Sequence, residues 1–565
     1  MGKNMFVFRA GRLLLLALLC AAALARGQQA FASESPLVMF GAGDEIFYDM
    51  RFLSLETGRV IFSFTPPMSS HEIRLFLDGI DTAALSDPAL AAYDRINERL
   101  APRAFFSRGG FAAAAGMTLA PALSFRTEER AGWILPDHDN PRMLSFPFDL
   151  YIMDSVHLHF ESAFQRFPGV PRPIDGTGGL LSTNIPIDFR GGVTPLRAFG
   201  AVGGSFWNFQ IGRDRISFGS GNTGNLLVSG HTAFHDFARL SFFADWIKYS
   251  VMVIHTPLFV SQSMVVRDFM DFPYYVFGED FLRYSVHRYM YFHRLDVRLG
   301  RRFAISVTEQ MVSGNSPMQL RYLNPLMFRH NLFSGDDFPR WINFGLLDNM
   351  LLSIDFQWHI AGTWRLYGQF GIDAFGTPFV SDRVRAEPNS LGYLLGLEFS
   401  ASLGQWAALF FAEFVFTDPF FYADNSPFAA SIWQRRRTNY GGALSGWVGH
   451  PNGRDAITLT FGSRFALQDR LVLNAFTTYE VQGVQGLAWD WGGGEEFFLA
   501  RTPSGLGEHS ITLGALSYWV PPFQPERGRL ALQGGAAGRV VINHGHRLWR
   551  IVGGAEFLLG VSYSL

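Results

Sequence analysis

Along most of this chain apolar and polar residues alternate with a period of two. Met350, Leu352, Ile354, Phe356, Trp358 and Ile360 lead into Ala361-Gly362-Thr363, and Trp364, Leu366, Gly368, Phe370 and Ile372 follow. Between them stand Ser353, Asp355, Gln357, His359, Arg365, Gln369 and Asp373. Side chains of an extended strand point alternately to opposite faces, so this stretch predicts a hairpin with one apolar wall and one polar wall. The pattern recurs around Gly300-Arg301, Gly404-Gln405 and Gln468-Asp469-Arg470. In the last segment Ile551, Gly553, Ala555, Phe557, Leu559, Val561, Tyr563 and Leu565 share one parity, with Glu556, Ser562 and Ser564 on the other. A long terminal strand that is apolar on one side fits the closing strand of a membrane barrel, which removes the sheet edge.

Segments of this kind run over 112–126, 142–153, 155–166, 195–201, 204–213, 234–244, 247–257, 284–299, 302–312, 346–360, 363–375, 390–403, 405–416, 455–467, 470–482, 509–519, 528–542 and 547–565. Tight turns fall at one end of such a barrel, apart from the turn at 543–547, and the long connections fall at the other. The pattern predicts an all-β, transmembrane antiparallel β-barrel of about 18 strands. Residues 440–448 offer part of an extra pair, which would make twenty.

Residues 33–110 read differently. Ile46, Tyr48, Met50, Phe52 and Leu53 make a short apolar patch, and Pro66-Pro67 interrupts the chain. Ser69 followed by Glu72 is a capping-box pattern that starts a short helix through Leu77. Ser86 caps a second, in which Leu90, Tyr93, Ile96 and Leu100 share a face. Two short helices bury little alone, so this segment is expected to be a plug or a periplasmic subdomain against the barrel end, rather than a cap folded on itself.

Composition sharpens the picture at three points. Lys3, Arg9 and Arg12 precede an apolar run from Leu13 to Leu24, with Ala30-Phe31-Ala32 behind it, which reads as a signal peptide over 1–32. The expected domain plan is therefore leader 1–32, helical N-terminal segment 33–110 and barrel 111–565, in an outer membrane. The one cysteine, Cys20, lies inside the leader, and Leu18-Leu19 before it suits a lipoprotein poorly, so no disulfide or thiolate site is expected after cleavage. Loss of Lys3, Arg9, Arg12 and Arg26 leaves 43 of 47 basic residues against 49 acids, a balance of −6 that does not suggest a nucleic-acid partner. A chain with 57 Phe and 13 Trp but no later run of eighteen apolar residues suits strands, not helices, as its spans.

Catalytic signatures are sparse. There is no Gly-x-Ser-x-Gly elbow and no His-Glu-x-x-His. His157, His159 and Glu161 share a strand face with spacing that a metal or a protease-like cluster could use; hydrogen-bonded lumenal residues are the preferred reading. No metal, cofactor or catalytic residue is assigned. The most unusual stretch is 209–230, where Arg213, Asp214 and Arg215 stand at a strand end before a glycine-rich run. Polar and aromatic residues crowd the long connections: Asp268, Phe269, Asp271, Tyr274 and Tyr275 in one, and Arg329, His330, Asn331, Asp336, Asp337, Arg340 and Trp341 in another. Phe420, Phe421, Tyr422, Asp424, Asn425, Trp433 and Arg435-Arg436-Arg437 stand in a third. A glycan site needs flat rings over sugar C–H faces and polar groups for hydroxyls, and arginine suits anionic sugars. The competing reading makes these residues loop packing and ion pairs, with Arg213 and Asp214 a lumenal pair.

In residue order, Gly212, Arg213, Phe218, Gly219, Gly221, Leu226, Leu227 and Ser229 resemble a motif of the Wzi-type capsule-assembly outer-membrane family. Phe218 and Ser220 stand where that family often has Trp and Pro. Asn324-Pro325-Leu326 is similar to a second family segment, and Gly58, Pro66-Pro67 and the two helices to its entry segment. The resemblance implies a blocked barrel of eighteen strands that acts as a surface lectin for capsular polysaccharide, with no metal and no reaction. Arg213, Asp214, Arg215, Arg329, His330, Asn331, Asp336 and Trp341 are then the candidate polysaccharide contacts. The expected partners are outer-membrane lipid, surface polysaccharide and the capsule-export machinery, with a monomer as the unit. The alternative is a porin-like channel for small solutes.

Overall fold

A computed structural model describes residues 29–30 and 36–565, apart from 102, 132–133, 136–141, 165–171, 174–178, 186–196, 260–284, 315–316, 326–346, 375–389, 424–428, 437–442, 487–500 and 526. All eighteen alternating segments are strands of one closed antiparallel sheet. They are β1 (Phe111–Ala115, Thr118–Leu119 and Ala122–Arg126), β2 (Leu144–Ile152), β3 (Val156–Phe164), β4 (Arg197–Gly203), β5 (Trp207–Asp214), β6 (His235–Phe243), β7 (Ile247–His255), β8 (Arg288–Leu299) and β9 (Phe303–Gly314). The circle continues with β10 (Leu347–Ala361), β11 (Trp364–Ala374), β12 (Ser390–Leu403), β13 (Trp406–Thr417), β14 (Ala456–Leu467), β15 (Leu471–Gln482), β16 (Glu508–Trp519), β17 (Arg529–Ile542) and β18 (Ile551–Ser564). β18 closes on β1, with Glu556 opposite Arg126 and Gly560 opposite Ala122.

Parity sets the faces. Ile354, Trp358, Trp364, Phe461, Leu513, Phe557 and Leu559 are exposed on the outer wall, whereas Asp355, Gln357, Arg365 and Glu556 are buried inside. Of residues 440–448, the described part does not extend the barrel. Ala443–Trp447 pairs instead with Ile432–Arg436 as a separate hairpin, because Ile432 and Trp447 bury themselves against the lumenal core rather than facing lipid.

The N-terminal segment holds three helices, α1 (Ile46–Thr57), α2 (Ser70–Leu77) and α3 (Asp87–Leu100). α2 has the expected capping box between Ser69 and Glu72. α1 is the helix that alternation concealed. Ile46, Phe47, Met50 and Leu53 form a helical stripe, all buried, and the helix stops where Gly58 turns left-handed. α3 starts after Ser86, but its buried face is Ala89, Ala92, Ile96 and Leu100. Leu90, expected on that face, is exposed and Tyr93 is half-buried, because the two alanines allow α3 to approach α1 closely.

This segment lies across and inside the barrel at its tight-turn end. Val60 N–H donates to Arg301 O at one turn (3.0 Å), and Gln357 Nε2 donates to Ile61 O (3.0 Å). Ser63 Oγ donates to Asp296 (3.1 Å), and Arg239 donates to Thr65 O (2.9 Å). Its apolar core also takes in Ala112, Tyr151 and Leu409 of the wall. No helix among the described residues is long and apolar enough to cross a membrane.

Candidate functional site

The connection after β5 turns inward. Gly212 and Gly219 take φ of 135° and 120°, conformations that a Cβ resists, and a Cβ at Gly219 would overlap Gln369 and Asn225. Phe218, Leu226, Leu227 and Val228 then pack in the lumen with Phe292, Tyr367, Phe421, Tyr422 and Trp447. Polar anchors complete the seat: Leu226 N–H donates to Gln369 (2.8 Å), Tyr422 Oη donates to Leu226 O (2.6 Å), and Asn222 and Thr223 N–H donate to Glu413 (2.7 and 2.9 Å). Arg51 of α1 donates to the carbonyls of Ser220 and Gly221 (3.0 and 3.2 Å) and pairs with Glu398 (3.4 Å), which also pairs with Arg365 (2.7 Å). The motif residues Phe218, Gly219, Gly221, Leu226, Leu227 and Ser229 are thus brought together as an internal plug, while Gly212 stays in the wall on β5.

Two further networks tie the helices to the wall. Glu72 pairs with Lys248, accepts from Asn208 (2.6 Å) and is closed in by Arg239. Burial alone would raise the Glu72 carboxyl, but Lys248 and then Arg239 outweigh it and hold it below its ordinary range. Arg294 bridges Asp296 (2.9 Å) and Asp355. A cavity of about 20 Å³ beside Ser63, Glu72, Lys248 and Arg298 has room for one water.

Asp149, His157 and His159 meet on β2 and β3, and their ligand atoms lie within 4.8 Å of one another. The proton inventory decides their role. Met39 N–H donates to His157 Nδ1 (3.1 Å), so Nε2 carries the proton and donates to Asp149 (2.9 Å). A cation on Nε2 would need Nδ1 protonated, which the Met39 amide opposes. His159 Nδ1 donates to the same carboxylate (2.6 Å), and Glu161 pairs elsewhere, with Arg142. The cluster fits a knot that pins the N-terminal segment to the wall.

The three charged residues at the end of β5 divide. Asp214 faces the lumen and pairs with Arg197 (2.9 Å), not with Arg213. Arg215 bonds Gly230 O inside the inward loop. Arg213 faces outward at the loop end, paired with Asp236 (2.6 Å), and Phe234 lies between its guanidinium (4.0 Å) and that of Arg435 (3.8 Å). Burial, and then Arg213 nearby, pulls Arg435 down to about 10, still charged at neutral pH. Asn324 and Pro325 lie on the other side of the wall from the first motif. Their segment covers the outward-facing Tyr249 and His293, where Tyr249 Oη sits 2.7 Å from His293 Nδ1 and 3.0 Å from Pro325 O. Arg329, His330, Asn331, Asp336 and Trp341 fall outside the described residues, as do 268–275, Asp424, Asn425 and Arg437.

The sequence reading missed the residues that carry most of the lumenal contacts, notably Arg51, Glu72, Lys248, Glu398 and Glu413. Their signal was present as charges on the polar parity, such as Arg294 with Asp296, but the partners lie far apart in sequence.

These features define a closed eighteen-strand barrel of the outer-membrane type, with its lumen occupied by its own N-terminal segment and an inward loop. No protein-family profile and no curated protein sequence matches the chain. Among solved structures the chain shares the fold of Wzi from Escherichia coli, described as an outer-membrane protein involved in group 1 capsule assembly and a carbohydrate-binding β-barrel. The match has a TM-score of 0.51 and 14% identity over 93% of this chain and 99% of that one. OpdO of Pseudomonas aeruginosa matches with a TM-score of 0.39 and 13% identity over 80% of this chain and 97% of that one. A BenF-like porin of Pseudomonas fluorescens gives 0.38 and 9% over 80% and 98%.

Proposed function

We propose that this chain is a non-enzymatic outer-membrane barrel that holds surface polysaccharide and assists capsule assembly. The observation that carries the reading is the occupied lumen: an N-terminal helical segment and an inward loop, joined through Arg51 to Ser220 and Gly221, fill the space a general porin leaves open. The likeness to Wzi in fold, together with the motif order from Gly212 to Ser229, supports it. Arg213, flanked by Phe234 and Arg435 at the loop rim, is the described candidate contact for an anionic sugar. A porin-like channel is the second reading, favoured by lumenal residues of β15 to β17 that are only partly buried.

The test is polysaccharide retention on cells. Deleting the gene should release surface polysaccharide into the medium, and the intact protein should restore retention. Arg213→Ala should weaken retention while heat-modifiable folding persists. Unchanged retention in the deletion strain would refute the proposal.

A further inference from the structure

The wall from β13 to β17 differs from the rest of the lumen. Thr460, Thr478, Thr512 and Arg539 stand opposite one another in register across β14, β15, β16 and β17; Thr460 and Thr512 are buried, and Thr478 and Arg539 are half-exposed. Thr460 and Thr478 share a hydrogen bond (3.0 Å). Arg539 pairs with Glu480 (3.2 Å) and donates to Ser510 (3.1 Å). Their side chains are 24% and 20% exposed inside the barrel, whereas those of Arg365 and Glu398 are 1% and 4%. Asn474, Phe476 and Thr478 along β15 are likewise only half-buried.

Two aromatic rings complete this surface. A Cβ at Gly462 would land on the Phe411 ring, and one at Gly514 on the Phe476 ring. Each ring therefore lies over a glycine of the next strand and turns its other side to the lumen. Both are half-buried. At the tight-turn end the groove is crossed by Arg464, which pairs with Glu45, donates to Asn474 (3.3 Å) and lies 4.0 Å over the Tyr48 ring.

We propose that this wall lines a wet groove, blind at the tight-turn end, that binds a short saccharide chain. Phe411 and Phe476 offer flat faces for sugar C–H surfaces, and Thr478 and Glu480 offer partners for hydroxyls. Arg539 adds a planar cation for a uronate carboxylate. The groove deepens the polysaccharide reading and rests on it for the class of ligand, while its access to water rests on geometry alone.

Cysteine accessibility tests both parts. The only cysteine in the sequence is Cys20, so a lumenal thiol can be introduced against a clean background. Thr478→Cys in the purified full barrel should react with a small charged methanethiosulfonate about tenfold faster than Thr308→Cys, which sits 1% exposed in the packed wall. An equally unreactive Thr478→Cys would overturn the groove, and Asn474→Cys provides the same readout if the first variant fails to fold. Maltooligosaccharide or oligogalacturonate should then slow the modification about threefold, and Arg539→Ala should abolish the protection by oligogalacturonate. Protection by neither sugar overturns the saccharide assignment. Retention on cells that persists without protection leaves the surface reading standing; protection without retention leaves the groove and removes that reading.

Discussion

The two sides of this lumen handle the same physical problem in opposite ways. From β5 to β13 the inward positions carry long or bulky groups, among them Gln210, Arg239, Lys248, Arg294, Tyr367, Glu398 and Glu413, all buried. From β14 to β17 they carry Thr460, Gly462, Thr478, Ser510, Thr512, Gly514 and Ala537. A polar group enclosed by a sheet needs a partner, from protein or from water. The first wall finds its partners in the plug, because Arg239, Lys248 and Asp296 meet Thr65, Glu72 and Ser63. On the second wall Arg539 bonds Glu480 and Ser510, Thr460 bonds Thr478, and only part of the surface, at Asn474, Phe476, Thr478, Glu480 and Arg539, is left half-exposed; Arg464 reaches the plug at Glu45. Side chains that meet the plug thus distinguish the first wall, and the half-exposed Asn474, Phe476, Thr478, Glu480 and Arg539 the second.

Breaking a contact on each side should separate the two walls most clearly. Lys248→Ala leaves Glu72 buried beside Arg239 without its ammonium, and removal of one member of a buried pair costs about 3–5 kcal/mol. Arg539→Ala, at a half-buried pair that is more exposed than Lys248–Glu72, should cost less, about 1 kcal/mol. Denaturant midpoints followed by heat-modifiable migration would check both, and equal losses would erase the distinction. Next in size, Gly219→Ala forces both a disfavoured φ and an overlap with Gln369, for about 2–3 kcal/mol, whereas Gly300→Ala at an open turn meets the φ cost alone, about 1 kcal/mol.

The pH dependence is a smaller effect and belongs to the packed side. Burial, and then His231, holds His450 down to about 3, against 6.5 when unfolded. The native state therefore refuses a proton that the unfolded chain accepts. Stability from this group is complete above 6.5 and declines as pH falls toward 3, by at most about 1.4 kcal/mol per pH unit. His450→Gln should flatten that slope in acid titrations of the unfolding midpoint.

Strand placement was legible because lipid and lumen impose opposite chemistries on alternate residues, as from Met350 to Ile372. The α2 cap was legible for a local reason, the Ser69–Glu72 exchange. α1 was not, since Tyr48 and Phe52 add a period-two pattern to a helical stripe. The candidate site was legible only as an unusual segment. That Asp214 would meet Arg197, that Arg213 would turn outward to Asp236, and that Leu226 would enter the lumen depend on long-range closure.

The central claim, that the chain occupies its own barrel, is tested most directly by single-channel conductance of the refolded protein in a planar bilayer. The packed wall and the Arg464–Glu45 closure predict a silent or barely conducting barrel. Steady, porin-sized conductance steps would contradict it and make the protein a channel.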